Sequence, residues 1–274
     1  MCYRWLRVLM GVLLVLSLSG IGAIPTTPLK PHPMEIIVHR GANRLAPENT
    51  YAAAQRCIDL GVDYLEVDVQ PSKDGVLYNL HDLWLNRTTN GKGLLLSMES
   101  RDVDQLDAGS WFGPEFAGER IPRFDQFLPW LKGKIKVNFD IRAADLQQLI
   151  ELVRSNHMEQ ECFFNFMSLP LALRFHQLAP DLTIKMNVST PEEAEQAAFK
   201  YHARIIEVPF SLLTPEITEA CRRHRLKIIA CAVDNSREEY QRIARSEADM
   251  VMLDCPDLFL EIQKEHGGAT PASR

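Results

Sequence analysis

The chain has no excess of positive charge: 30 basic residues face 36 acidic ones across 274 positions, for a net charge of −6. A general nucleic-acid binder needs a basic stripe to neutralise phosphates, so that class is disfavoured. It does not exclude a small phosphate-containing substrate, because local charge can oppose the global sum. Metal-binding cysteine spacing is also missing. The six cysteines form no CxxC pair and have no histidine spacing suited to zinc. They read as core residues, with room for one disulfide. No G-x-S-x-G, Walker glycine loop, H-E-x-x-H or dinucleotide fingerprint occurs, which lowers the serine hydrolase, nucleotidase, zincin and dehydrogenase readings. No repeat or low-complexity tract is visible. With 46% hydrophobic and 24% charged residues, collagen-like, disordered and coiled-coil chains are out.

The first acid is Glu35. Before it, Arg4 and Arg7 precede an apolar run from Val8 to Leu18, followed by Ser19, Gly20, Gly22 and Ala23. That is the layout of a secretory signal over residues 1–24, with an uncleaved membrane anchor as the alternative. The expected location is exported, periplasmic or secreted, or anchored facing outside the cytosol. Removing the segment takes two arginines and no acid, which leaves a net charge of −8. Residues 25–34, rich in proline, read as a linker, 35–262 as one barrel-sized domain, and 263–274 as a flexible tail.

Within 35–262, short β-branched runs alternate with helical stretches. The runs are Ile36–Val38, Tyr64–Val69, Val76–Leu80, Ile135–Asp140, Cys162–Phe166, Leu182–Met186, Ile205–Val208, Lys227–Val233 and Met250–Leu253. Helical periodicity fills Ala144–Val153, Pro170–Leu178, Pro191–Phe199 and Pro215–His224. The alternation predicts a parallel sheet, open or closed into a barrel. Only Ser72 to Gly75 separates the second and third runs, too short for a crossover. They read as a hairpin with residue 71 opposite 76, which would set Glu66 opposite His81 and Asp68 opposite Asn79, and bring Glu66, Asp68 and His81 to one face. A long connection, about 83–122, carries Trp84, Trp111 and Phe112 and reads as an insertion over a site mouth.

Several polar residues sit where strands end. His39-Arg40-Gly41 follows the first strand, and taken alone the histidine reads as a structural cap. Glu48 lies near the positive end of a helix with Asn49 or Thr50 as N-cap. Glu66 and Asp68, two apart in an apolar strand, share a face where burial and mutual repulsion oppose double ionisation. A divalent cation resolves that conflict, and oxygen ligands suit calcium or magnesium. An edge strand facing solvent is the bland alternative. Asp140 ends another strand, with Arg142 after it, and could equally cap a helix. His81-Asp82 supplies a second imidazole. Two histidines and three carboxylates on one rim suit phosphoryl chemistry, one imidazole accepting a proton and the other donating one. His32, His157, His176, His202, His224 and His266 read as surface or packing residues.

Taken together, His39-Arg40-Gly41, Pro47 to Thr50, Gly61 to Val69, Lys73-Asp74-Gly75, His81-Asp82 and Arg87 to Gly91 resemble the glycerophosphodiester phosphodiesterase family. Weaker similarity continues through Ile121-Pro122, Asn138–Arg142, Ala232 to Asp234 and Asp249–Pro256. The resemblance implies a TIM-type (β/α)8 barrel with a small insertion after the strand bearing His81. It implies metal-dependent hydrolysis of glycerophosphodiesters to sn-glycerol 3-phosphate and an alcohol. By the same resemblance His39 and His81 match the catalytic pair, and Glu66, Asp68 and Asp140 match the ligands of one Ca2+ or Mg2+. Arg40, Glu48 and Arg142 match the substrate-binding positions. The family generally has Glu and Lys where this chain has Asp140 and Arg142, tryptophan at Cys231, asparagine at Asp234 and threonine at Leu253. Two other readings stand beside this one: lysophospholipase D-type cleavage of lysophospholipids on the same fold, and a barrel that binds a phosphodiester without turnover.

Overall fold

A computed structural model describes residues 34–166 and 168–267. The expected leader and most of the linker lie outside the described residues, as does the end of the expected tail. Nine strands form one sheet: β1 (Glu35–Val38), β2 (Tyr64–Pro71), β3 (Leu77–Asn79), β4 (Lys136–Ile141), β5 (Cys162–Phe166), β6 (Ile184–Asn187), β7 (Ile205–Pro209), β8 (Lys227–Cys231) and β9 (Met250–Leu253). All pair in parallel except β3. Pairing of β1 with both β2 and β9 closes eight of them into a TIM barrel, and β3 is an antiparallel addition to β2.

The helices between strands start where their caps dictate. Thr50, Thr190, Thr214 and Ser236 each accept a backbone N–H from the first turn, and Pro191 and Pro215 occupy positions where a missing N–H costs nothing. The last helix runs Pro256–Gly267, so residues 263–267 are helical where the sequence predicts a flexible tail. Among the described residues no helix is long and apolar enough to cross a membrane. The five described cysteines are all free, and Cys57, Cys162 and Cys221 are buried.

The hairpin register is one residue away from expectation. Pro71 faces Leu77 and Val69 faces Asn79. Turn chemistry explains the slip. Ser72 N–H donates to the Val76 carbonyl (2.8 Å), Gly75 N–H returns to the Ser72 carbonyl (3.0 Å), and Gly75 is left-handed at φ 84°. The loop therefore has three residues, Lys73 to Gly75, with glycine at its left-handed position. Consequently His81 does not stand opposite Glu66 in the ladder. The ladder ends near Leu80, whose N–H bonds the Asp68 carbonyl at 3.0 Å, and His81 reaches the rim from the following loop. The buried Gln70 side-chain amide holds that loop, lying 2.7–2.9 Å from the carbonyl oxygens of Leu80, His81 and Asp82.

Two apolar layers sit on either side of the sheet. Inside the barrel, Ile37, Tyr64, Phe163, Ile205, Ile229, Met250 and Met252 pack together. Outside, strand residues meet the helices, with Phe139 and Phe164 stacked at 5.0 Å between centroids. The insertion has its own small core around Tyr78, Leu85, Leu95, Val103 and Ile121, and the Tyr78 hydroxyl donates to Asp104 at 2.6 Å. One ion pair is sealed inside the barrel: Lys185 Nζ lies 2.6 Å from Glu207 Oε2, with the lysine side chain 3% exposed. Removing one partner strands the other charge in a low-dielectric interior. Lys185→Met is expected to cost about 3–5 kcal/mol, and adding Glu207→Gln to recover a large part of it. Urea denaturation at pH 7 measures both. An unchanged midpoint in Lys185→Met would contradict the pair's buried charge.

Candidate active site

The site is built at the C-terminal ends of the strands, where barrel enzymes place their chemistry. β1 delivers His39, whose N–H bonds the Leu253 carbonyl of β9 at 3.0 Å. The chain then turns sharply. Arg40 and Gly41 both take positive φ, 56° and 78°. A Cβ on Gly41 would lie 2.8 Å from that of Ala53, so this turn needs glycine both for its φ and for its closeness to the helix Tyr51–Leu60. In this conformation the Arg40 N–H points at Glu66 Oε2, 2.7 Å away.

Glu66 and Asp68 on β2 and Asp140 on β4 form the acidic cluster. Asp68 and Asp140 are register partners, and the three residues each offer a carboxylate oxygen within 4.8 Å of the others, all buried. Burial, reinforced by the charge of Asp68, pushes the Glu66 carboxyl well above the usual carboxylate range; His39 opposes this and Asp140 adds to it. Arg142 spans the other two acids, with Nε 3.1 Å from Asp68 and Nη2 3.0 Å from Asp140. Asn49 donates to Asp68 at 2.8 Å, and Asn165 to Asp140 at 2.9 Å. Buried hard-oxygen donors that cannot all hold charge unaided fit a divalent cation. Asp140, one methylene shorter than the glutamate general in the family, still reaches the cluster.

Each histidine has a carboxylate on Nδ1. His39 Nδ1 lies 3.0 Å from Asp254 Oδ1, and His81 Nδ1 lies 2.7 Å from Asp82 Oδ1. The arrangement gives Nδ1 the proton when the ring is neutral and leaves Nε2 for proton transfer. Burial pulls His39 towards its neutral form, but the Asp254 bond and the charge of Glu66 outweigh it, so its pKa is raised. Asp254 is itself braced. Asn43 donates to it at 2.9 Å, its own N–H goes to Asn235 Oδ1, and the Tyr240 hydroxyl bonds that same oxygen at 2.6 Å.

Arg87 joins the second histidine to the rest. Its guanidinium grips Asp82 at 2.6 Å and both oxygens of Glu48 at 2.7 Å. This contact is the main force holding Asp82 down at about 2. Glu48 in turn accepts from Arg40 Nη1 at 3.1 Å. A continuous path therefore runs His81–Asp82–Arg87–Glu48–Arg40–Glu66. Arg40 keeps one donor free: its Nε is buried, has no hydrogen-bond partner, and lies 3.8 Å from Asp68. Across the barrel, burial pushes the Cys231 thiol up to about 12, with the charge of Glu207 adding to it.

The structure thus brings Glu66, Asp68, Asp140, Arg40, Arg142 and Glu48 into direct contact or one bond apart, ties His81 to them through the Asp82–Arg87–Glu48 ion pairs, and holds His39 separately on Asp254. Glu48 is an ion-pair bridge between two arginines. Sequence reasoning misses Asp254, Arg87, Lys185 and Glu207. The first two lie inside motifs that carry the resemblance; nothing local marks the last two.

Positive charge aimed at an anion, next to acids fit for a divalent cation, defines a class: a barrel enzyme that works on phosphate esters. The sequence narrows it further. The profile of the glycerophosphoryl diester phosphodiesterase family matches residues 39–258, and the chain belongs to that family. A glycerophosphodiester phosphodiesterase of Caldanaerobacter subterraneus is 29% identical over 240 residues, covering 85% of this chain and 98% of that protein. The crystal structure of a glycerophosphodiester phosphodiesterase from Agrobacterium tumefaciens superposes with a TM-score of 0.80 at 38% identity, covering 83% of this chain and 99% of that one. An Oleispira antarctica phosphodiesterase, solved with the product sn-glycerol-3-phosphate, shares the fold at 24% identity and TM-score 0.76, over 84% of this chain and 96% of its own. The enzyme class is that of the first two relatives.

Asp254→Asn removes the charge that favours the imidazolium, so the pKa of His39 is expected to fall. NMR titration of the His39 ring checks this; an unchanged pKa would detach Asp254 from that role.

Proposed function

We propose that this chain hydrolyses glycerophosphodiesters to sn-glycerol 3-phosphate and an alcohol, using one divalent cation and the His39/His81 pair. The observation that carries the reading is the pair of imidazoles, each held through Nδ1 by a carboxylate, on a rim shared with three buried acids. Glu66, Asp68 and Asp140 would hold the ion, Ca2+ or Mg2+, which when bound supplies charge stabilisation to a phosphoryl oxygen.

The chain's own groups do the rest. Arg40 offers its unpartnered Nε to a second phosphoryl oxygen, a charge-assisted bond made without displacing an existing partner. Arg142, a planar fork where the family has an ammonium, keeps positive charge between Asp68 and Asp140. One imidazole Nε2 takes the proton of the attacking hydroxyl, and the other gives a proton to the leaving oxygen. Asp254 and Asp82 keep both rings in the tautomer and orientation that this exchange requires. Residues 1–24 are proposed as a leader that exports the enzyme or anchors it outside the cytosol, on the strength of Arg4, Arg7 and the apolar run after them.

The test is release of sn-glycerol 3-phosphate from glycerophosphocholine and glycerophosphoethanolamine, in EDTA and after calcium or magnesium is restored. Release is expected only with metal. His39→Ala and His81→Ala should each reduce turnover by at least ~100-fold, and near-normal turnover in either would remove that histidine from the mechanism. Glu66→Gln should shift the metal titration to higher concentration; an unmoved titration would undo its place as a ligand.

A further inference from the structure

The interior of the barrel changes character along its axis. On three strands an apolar residue of the inner cluster stands two positions before a polar one: Tyr64 before Glu66, Ile205 before Glu207 and Ile229 before Cys231. Side chains of a strand return to one face every second residue, so the apolar set is a floor and the polar set lies above it, towards the C-terminal mouth. β6 breaks the pattern. Lys185 takes a place on its inward face that an apolar residue could fill, and its ammonium lies 2.6 Å from Glu207. A barrel does not need such a pair, because well-packed apolar residues in its place are often as stable or more so.

The pair lies across the mouth from the acidic corner. Around the closed barrel β7 is the fourth strand from β2, and β8 the fourth from β4, so the strands of Glu207 and Cys231 stand opposite those of Glu66 and Asp140. This wall is open to solvent. Asn187, the register partner of Glu207, is exposed, and Cys231 is half-buried. Solvent reaches 11% of the Glu207 side chain against 3% of Lys185. A group entering here meets the carboxylate and the Asn187 amide, not the ammonium beneath them. Lys185 occupies Glu207 Oε2, and the Cys231 thiol also bonds the carboxylate. With about four lone-pair positions, a carboxylate has room for a further donor.

These groups select by chemistry. A carboxylate accepts, and an amide both donates and accepts, which suits a hydroxyl. Lys185 already cancels the charge of Glu207, so a cation gains little from it. The inward rings Tyr64 and Phe163 belong to the floor, which leaves no aromatic face on this wall for a quaternary ammonium. We propose that Glu207 and Asn187 are specificity-determining residues: with the phosphate held at the acidic corner, they hydrogen-bond a neutral, hydroxyl-bearing arm of the phosphodiester. Lys185 is the positioning residue that fixes Glu207 from beneath. That arm has two sources, the glycerol moiety and a hydroxylated leaving alcohol. The inference takes its substrate from the hydrolase reading above and adds the residues that choose among phosphodiesters.

The test uses the full chain with calcium or magnesium bound, comparing the unaltered protein with Asn187→Ala and with Lys185→Met/Glu207→Leu. The double variant removes both charges together, so neither is stranded. Calorimetry compares sn-glycerol 3-phosphate with ethyl phosphate, a monoester of the same charge that carries no hydroxyl on its carbon chain. Turnover is measured on glycerophosphocholine, with hydroxyls on one arm, and on glycerophosphoglycerol, with hydroxyls on both. If the glycerol moiety occupies the wall, each variant should lose at least about tenfold in sn-glycerol 3-phosphate affinity and in kcat/KM on both substrates, because a hydroxyl has lost its partner. Ethyl phosphate affinity should then stay within about twofold. If the leaving alcohol occupies it, both affinities hold and the loss is confined to glycerophosphoglycerol. Equal losses for sn-glycerol 3-phosphate and ethyl phosphate would overturn the proposal, since damage to the fold or the acidic corner lowers both. Unchanged binding and turnover in both variants would overturn it too. Failure of the hydrolase reading looks different: the unaltered protein would prefer sn-glycerol 3-phosphate to ethyl phosphate, the variants would lose that preference, and neither substrate would be cleaved. No turnover together with no such preference would overturn both.

Discussion

Three carboxylates pressed together in a buried corner cannot all be charged without positive charge close by, and most of the rim is arranged around that fact. Glu66, Asp68 and Asp140 lie within one ion's reach of each other. Arg142 bridges two of them, and Arg40 serves the third through its backbone and approaches the second with its side chain. That leaves Arg40 bent into a left-handed turn, which sets Gly41 against the following helix. Arg40 in turn fixes Glu48, Glu48 fixes Arg87, and Arg87 fixes the aspartate behind His81. The placement of the second histidine thus traces back to the electrostatics of the acidic corner. His39 is set separately, from β9, by an aspartate with its own asparagine and tyrosine supports.

Much of this is legible in the sequence, for local reasons. Apolar runs bounded by turn residues locate all nine strands, because a strand buried on both faces has little choice of composition. Prolines and threonines mark helix starts, because they satisfy or forgo N–H groups that a helix terminus leaves unpaired. The acidic cluster is visible because two acids at i and i+2 in an apolar strand share one buried face, where their repulsion calls for a cation. The hairpin register departs from the residue count by one, since the Ser72–Val76 closure depends on a hydroxyl and a left-handed glycine rather than on the number of residues between strands. The contact of Asp254 with His39 is not assignable from spacing, because only barrel closure brings β9 against β1, and the Lys185–Glu207 pair depends on the β6–β7 register, which nothing local marks.

The departures from the family pattern have physical settings. Asp140 keeps its place in the cluster because β4 runs in register with β2, so the backbone brings the shorter carboxylate close enough. Arg142 replaces a point charge with a fork that meets two acids at once. Cys231 stands where a tryptophan would fill the wall, beside the Lys185–Glu207 pair.

Calorimetric titration of the EDTA-treated protein with calcium and with magnesium, in two buffers of different ionisation heat, tests the acidic corner most directly. The account predicts one ion bound per chain by at least one of these metals. Binding should release a proton, since the raised pKa of Glu66 keeps part of it protonated without metal, and Asp140→Asn should weaken binding. Absence of binding by both metals, or binding that releases no proton and is indifferent to Asp140, would contradict it.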